Sequence, residues 1–296
     1  MKGSPYNCAT LFCGGGGVSL GCKEAGFHEL LATDINPAAI RVHRGNLPDV
    51  PTLTKDIADV TATECLAIMG LSVGEMDFMQ FSTPCQGFSA DGKGDFGDPR
   101  NRLYQHPVRL IQEIQPKVFM QENVKGLTYR RMRVWLKVMR QDFKACGYTV
   151  DAALLDAQEY GVPQRRERVI ILGVRNDLGI KPSFPGPIWP PPVIVRLDSV
   201  PAKMPEWRSM EILKEGEIAP TFTCHHRFFW NEAEELGPLS YRHVAGFPED
   251  YELNCGHRRG LEFLGNAVPP RMMYHIAMHV RKNILDPVYH AASLAA

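Results

Sequence analysis

Short runs that are apolar on both faces, separated by stretches of helical spacing, constrain this chain more than any other feature. Met76–Phe81, Val118–Gln121 and Val169–Val174 read as strands without polar alternation. A strand of that kind has to be covered on two sides, which is the condition of a parallel sheet between helix layers. Ala9–Phe12 reads as the end of an earlier strand, Gly14 through Gly17 as a loop, Val18–Ala25 as a helix stopped by Gly26, and Glu29–Thr33 as a second strand ending at Asp34. Met132, Trp135, Leu136, Met139, Phe143 and Cys146 fall at helical spacing ahead of Gly147, a residue suited to a helix C-cap. Strand followed by helix, repeated, predicts an α/β fold with an open, doubly wound, mostly parallel sheet.

The texture changes after Arg175. Six prolines, at 182, 185, 187, 190, 191 and 192, fall within eleven residues that neither a helix nor a central strand tolerates. The expected division is a large unit over 1–175, a small unit over 176–257 and a segment over 258–296 that returns to the large unit, helical from Pro270 to Leu285. The small unit holds Thr221-Phe222-Thr223 and a cluster from His225 and His226 through Arg227, Phe228, Phe229 and Trp230. These aromatics either fill that unit's core or reach outward to a partner.

The chain has 296 residues and no net charge by formal count, 33 basic against 33 acidic. Composition therefore gives no hint of a polyanionic partner, but the distribution does. Between Lys125 and Arg175 eleven basic residues face five acidic ones, which describes either a solvated helix face or a phosphate-contacting surface. No apolar run approaches the roughly 18 residues of a membrane span, and the N-terminus lacks the pattern of a signal peptide. The expected setting is intracellular, without a membrane. Eight scattered cysteines show no CxxC pair and no metal-ligand spacing, so reduced thiols and no metal are expected.

Pro84-Cys85-Gln86 places a thiol in a turn directly after an apolar strand, where a nucleophile would be displayed. The glycines after Phe12 let a ligand approach the backbone, since no side chain obstructs it. Asp34, about twenty residues on, is suited to ribose hydroxyls, and Asp56-Ile57 to an adenine amino group and ring face. Glu122-Asn123-Val124, Gln164-Arg165-Arg166-Glu167-Arg168 and Gly265 through Pro270 complete the set. Singly, each also reads as a strand-end acid, a charge run or a turn.

In this order, FxGxG, PCQxFS, ENV, QxRxR, the GFPEDY segment from Gly246 to Tyr251 and GNAVPP, the chain resembles the cytosine-5 DNA methyltransferase family from Leu11 to about Arg271. The resemblance implies a Rossmann-like domain for S-adenosylmethionine, interrupted by a small target-recognition domain. Cys85 would add to carbon 6 of cytosine as a thiolate. Glu122 would hold ring nitrogen 3 and the exocyclic amine, and Asn123 its loop. Arg166 and Arg168 would lie near the base, one contacting its carbonyl while the other supports the site. Phe12, Gly14, Gly16, Asp34, Ile35, Asp56, Ile57, Pro84, Asn266 and Val268 would surround the cofactor. Gln86, Ser89, Gln164, Thr221 and Arg227 are the candidate DNA contacts.

The resemblance further implies base flipping in double-stranded DNA, a monomer, and a separately encoded cognate restriction endonuclease as partner. Two departures touch the cofactor: Thr10 stands where the family has an acid before Leu-Phe, and Ile35 where an aromatic often covers the adenine. Three rivals stand beside this reading: an RNA methyltransferase of the same chemistry, a nicotinamide-dependent oxidoreductase resting on the glycine loop alone, and a silent DNA-binding module.

Overall fold

A computed structural model describes residues 6–83, 102–130, 132–188, 192–201, 211–223 and 227–295. The first half alternates β1 (Asn7–Leu11), α1 (Gly17–Glu24), β2 (His28–Asp34), α2 (Pro37–Asn46), β3 (Thr52–Thr54), α3 (Ala62–Met69), β4 (Phe78–Phe81), α4 (Gln105–Ile114), β5 (Val118–Val124) and α5 (Arg133–Ala145), and ends in the hairpin β6 (Tyr148–Asp156) and β7 (Glu167–Arg175). Local chemistry sets several of these boundaries. Asn36 caps α2 by accepting from the Ala38 amide at 2.9 Å, with Pro37 at the first helical position. Behind α5, Gly147 turns at φ +93°, a backbone few other residues adopt.

The strands form one seven-stranded sheet in the order β3-β2-β1-β4-β5-β7-β6. Pairings from β3 through β5 are parallel, and β7 runs antiparallel to both its neighbours. The expected mostly parallel α/β sheet is therefore present, with one reversed strand near an edge. Strand β6 is the edge that the search for two-sided apolar runs passes over. Tyr148 and Val150 are buried while Thr149 and Asp151 are exposed, the alternation of a strand covered on one face. The run from Met76 starts its strand only at Phe78, because buried Asp77 pairs with Lys117 at 2.7 Å and accepts from the Asn7 amide at 2.9 Å.

Apolar cores lie on both faces. On one, α3, α4 and α5 contribute Met69, Leu110, Ile111, Met139 and Phe143; on the other, α1 contributes Val18 and Cys22. That second face is completed from the far end of the chain by α8 (Pro270–Val280), which runs through a π turn into α9 (Asp286–Ala295). Met272, Met273, Ile276 and Val280 of α8 are fully buried there.

Between these parts stands a smaller sheet of β8 (Ser199–Pro201), β9 (Glu211–Ile212), β10 (Phe228–Asn231) and β11 (Glu234–Leu236), in the order β8-β11-β10-β9. It is followed by α6 (Pro238–Ala245) and α7 (His257–Asn266). Phe228, Phe229 and Trp230 are buried in or beside its core with Phe222 and Tyr241. Of the two readings of that aromatic cluster, the core is the one observed. His225 and His226 lie outside the described residues.

Candidate active site

The strand order reverses between β1 and β4, and in open α/β sheets ligands occupy the crevice at the carboxyl ends of the strands beside such a point. On one flank the chain leaves β1 through Phe12, held at φ +55°, then Gly14 at +53° and Gly16 at +98°, before α1 begins. A left-handed backbone at Phe12 is uncommon for a bulky residue and marks an imposed local shape. Gly14 donates its amide to Asp34 Oδ2 at 2.8 Å, and Asn36 donates to Asp34 Oδ1 at 2.8 Å. Asp34 thus pins the glycine loop to the end of β2 while each oxygen keeps a further lone pair. Beside it Ile35 is 63% exposed, a large apolar side chain left without cover. Asp56 follows β3 and accepts from the Ala58 amide, and Ile57 is buried next to it.

Val268 closes this flank from the C-terminal segment. A Cβ on Gly17 would lie 2.4 Å from the Val268 carbonyl oxygen, so glycine is what lets the two backbones touch. Asn266, the last residue of α7, is exposed near that seam.

Below the loop lies a buried polar cluster that sequence reasoning missed. Glu29 on β2 accepts from Thr10 Oγ1 of β1 and, at 2.9 Å, from Ser19 Oγ of α1; Ser19 Oγ in turn lies 3.0 Å from His43 Nε2 of α2. Burial raises the Glu29 carboxyl to about 7, and burial lowers His43 to about 4. The acid absent at position 10 is therefore matched by a carboxyl that the Thr10 hydroxyl touches from the neighbouring strand. Cys13, in the loop itself, is buried, and its thiol is pushed well up, first by burial and then by Asp34. A thiol in that state is a poor nucleophile.

On the other flank β5 carries Glu122 and Asn123 among its last residues, not beyond its end, and β7 carries Arg168 as its second. Glu122 faces Ile170 across the pair and Val124 faces Arg168, which makes Glu122 and Arg168 diagonal neighbours on one face. Arg168 Nε meets Glu122 Oε1 at 2.9 Å, with each side chain about one-tenth exposed, 10% and 11%. Lys125 and Glu167 pair at 2.5 Å above them, further toward solvent. Asn123 is buried and accepts from the Val124 amide at 2.9 Å.

Pro84, Cys85, Gln86 and Ser89 lie outside the described residues. What is described is the approach to them: Thr83, after β4, accepts at its hydroxyl from Gln121 Nε2 of β5 at 3.1 Å, and both are buried. Gln121 was passed over as part of an apolar run, although a polar residue inside such a run is itself a signal.

The other arginine of the pair stands elsewhere. Arg166 is 2% exposed and donates to the carbonyls of Phe222 (2.6 Å), Gly265 (2.8 Å) and Ala267 (2.8 Å). It ties β7's approach, the small unit and the C-terminal segment together and does not accompany Glu122. Gln164 is likewise inside the seam, donating to the Val244 carbonyl at 2.9 Å and accepting from the Phe222 amide at 2.9 Å. Both bonds hold its amide within the fold. Thr221 donates to the Arg165 carbonyl at 2.7 Å. Arg227 donates to the fully buried Glu235 at 2.9 Å, so its guanidinium also serves an internal pair. Among the described residues no group of three His, Cys, Asp or Glu could hold a metal ion, and no helix is long and apolar enough to cross a membrane.

A mostly parallel seven-stranded sheet with a reversed penultimate strand, a glycine loop at its switch point and a carboxylate near the end of β5 define an α/β protein of the Rossmann-like methyltransferase type. Residues 6–211, well over half of the chain, match the family of C-5 cytosine-specific DNA methylases, and the chain belongs to that family. Among its relatives, the type II methyltransferase M.XorII of Xanthomonas oryzae is 43% identical over 60% of this chain and 42% of its own length. M.DdeI of Desulfomicrobium norvegicum is 30% identical over 81% of this chain and 57% of its own. The chain thus spans about two fifths to little more than half the length of these relatives. An E. coli prophage protein whose solved structure is described as a DNA modification methyltransferase has the same fold, with a TM-score of 0.80 and 21% identity, covering 95% of this chain and 99% of that one.

Proposed function

We propose that this chain transfers a methyl group from S-adenosylmethionine to carbon 5 of a cytosine flipped out of duplex DNA. The observation that carries the reading is the Glu122–Arg168 pair at the crevice, opposite a glycine loop pinned by Asp34. The glycine loop, the free lone pairs of Asp34 and the exposed face of Ile35 fit a nucleoside with a ribose and a flat base, and Asp56, Ile57, Asn266 and Val268 would complete its surroundings. When bound, that cofactor supplies an electrophilic methyl group.

Each remaining role belongs to the chain. Carbon 5 of cytosine is a weak nucleophile until a thiolate adds to carbon 6, which makes the ring electron-rich; Cys85 provides that thiolate. Glu122 holds ring nitrogen 3 and the exocyclic amine, where charge develops as sulfur adds. Arg168 orients Glu122 and is the arginine within reach of the base carbonyl, whereas Arg166 fastens the units. Loss of the carbon-5 proton then expels Cys85. Reaching both faces of the ring requires base flipping, at a cost of a few kcal/mol for unstacking.

Residues 1–175 and 258–296 form the catalytic domain in this reading and 176–257 the recognition domain, supported by the two separate sheets and by α8 docked beside α1. Duplex DNA is the partner, and the likeness to type II enzymes supports a separately encoded endonuclease. Transfer of tritiated methyl groups tests the reading: label should enter duplex DNA and not transfer RNA. Label in transfer RNA alone would move the assignment to RNA.

A further inference from the structure

The segment from Gly246 to Asn254 leads out of α6 and crosses the glycine loop. The Tyr251 hydroxyl donates a hydrogen bond to the carbonyl oxygen of Gly15. A Cβ on Gly15 would lie 3.0 Å from that hydroxyl. The Phe247 ring sits 4.7 Å from the Tyr251 ring, centroid to centroid, and reaches within 3.2 Å of where a Cβ on Gly17 would stand. Next along the segment, the Glu252 amide donates to Asn46 Oδ1 at 2.8 Å and Asn46 Nδ2 donates to the Glu252 carbonyl at 2.7 Å, so the same stretch grips the end of α2. At its other end α6 is fixed to the small sheet, because the Phe228 amide donates to the Tyr241 hydroxyl at 2.8 Å.

A run of glycines has no side chains with which to hold its own shape, and ordering it costs more conformational entropy than ordering any other sequence. A ligand that binds such a loop bears that cost unless the protein has met it already. Tyr251 is 3% exposed, and burial pushes its phenol well up, so it stays a neutral donor. We infer that Tyr251 is a positioning residue for the cofactor: its hydroxyl pre-orders the Gly15 carbonyl, and the affinity of the glycine loop for S-adenosylmethionine is set in part from the seam with the small unit. This inference rests on the cofactor assignment above.

Tyr251→Phe removes the hydroxyl and keeps the ring. Calorimetric titration with S-adenosylhomocysteine should give a Kd about fivefold to tenfold weaker than that of the unaltered protein, the effect of one lost hydrogen bond. KM for S-adenosylmethionine should rise by the same factor while kcat at saturating cofactor stays within about twofold and the thermal midpoint moves little. Asn46→Ala, which frees the segment without touching the loop, should weaken binding in the same direction by less. Wild-type affinity in Tyr251→Phe, or a fall in kcat with KM unchanged, would overturn the positioning role. Failure of the unaltered protein to bind S-adenosylhomocysteine would instead overturn the cofactor assignment.

Discussion

Two ion pairs of the same chemistry stand in the two sheets, and they face in different directions. Glu122 and Arg168 lie at the carboxyl end of β5, each about a tenth exposed, with the crevice in front of them. Glu235 and Arg227 lie in the small unit, where Glu235 is fully buried beneath Tyr241 and Arg227 crosses the Phe229 ring. The first pair leaves a small part of each side chain exposed at the end of its strand. The second lies against the core of the small unit. A charge buried toward a cleft is available for chemistry, and one buried toward its own partners fixes the fold.

The comparison breaks most sharply at Arg227. Replacing it with Met takes the cation from the buried Glu235 carboxylate and leaves it the Tyr241 hydroxyl, and losing the charged partner of a buried pair costs about 3 kcal/mol or more. Arg227→Met should therefore lower the urea midpoint by an amount of that order. Unchanged stability with weakened DNA binding would make Arg227 a DNA contact and not a fastening of the fold. Glu122→Gln should do the reverse, slowing methyl transfer about 100-fold or more while DNA affinity and stability hold. Comparable losses in rate and in DNA binding would mean that Glu122 positions DNA and takes little part in the chemistry.

A third buried carboxyl sharpens the rule. Glu29 is raised in the folded state to about 7, so the stability it contributes is present below its unfolded value near 4.5 and is lost as pH rises through 7. His43 is lowered to about 4, so the stability it contributes is present above its unfolded value near 6.5 and is lost as pH falls through 4. Between about 4.5 and 6.5 the two slopes oppose each other. Glu29→Gln should unmask the His43 slope, so that the urea midpoint rises steadily from pH 4 to 6.5. A profile as flat as the wild type's would show that the two groups do not titrate in this way. Smallest of all, Ile35→Ala should weaken S-adenosylhomocysteine binding only a few-fold, the effect of removing an apolar contact on one face of a base.

How much of this was legible in sequence depended on whether a feature is local. The strands apolar on both faces, the glycine loop with Asp34, and Glu122 at the end of β5 declare themselves by neighbouring residues, and the sheet and the site's outline follow from them. Edge strand β6 hid because it is covered on one face only. The internal partners of Arg166, Gln164 and Arg227, namely the carbonyls of Gly265 and Ala267, the Val244 carbonyl and Glu235, were not legible, because they lie eight to about a hundred residues away and meet them only in the fold. Tyr251 was visible as the last letter of a motif, but its contact with Gly15 spans 236 residues of sequence.

The central claim is that Cys85 attacks carbon 6 of a cytosine that Glu122 holds. It is tested most directly with duplex DNA carrying 5-fluorocytosine, which lacks the carbon-5 proton whose loss frees the enzyme. With S-adenosylmethionine present, the unaltered protein should become covalently joined to this DNA in a denaturing gel, and Cys85→Ala should leave it free. A covalent product of equal yield from Cys85→Ala would contradict the account.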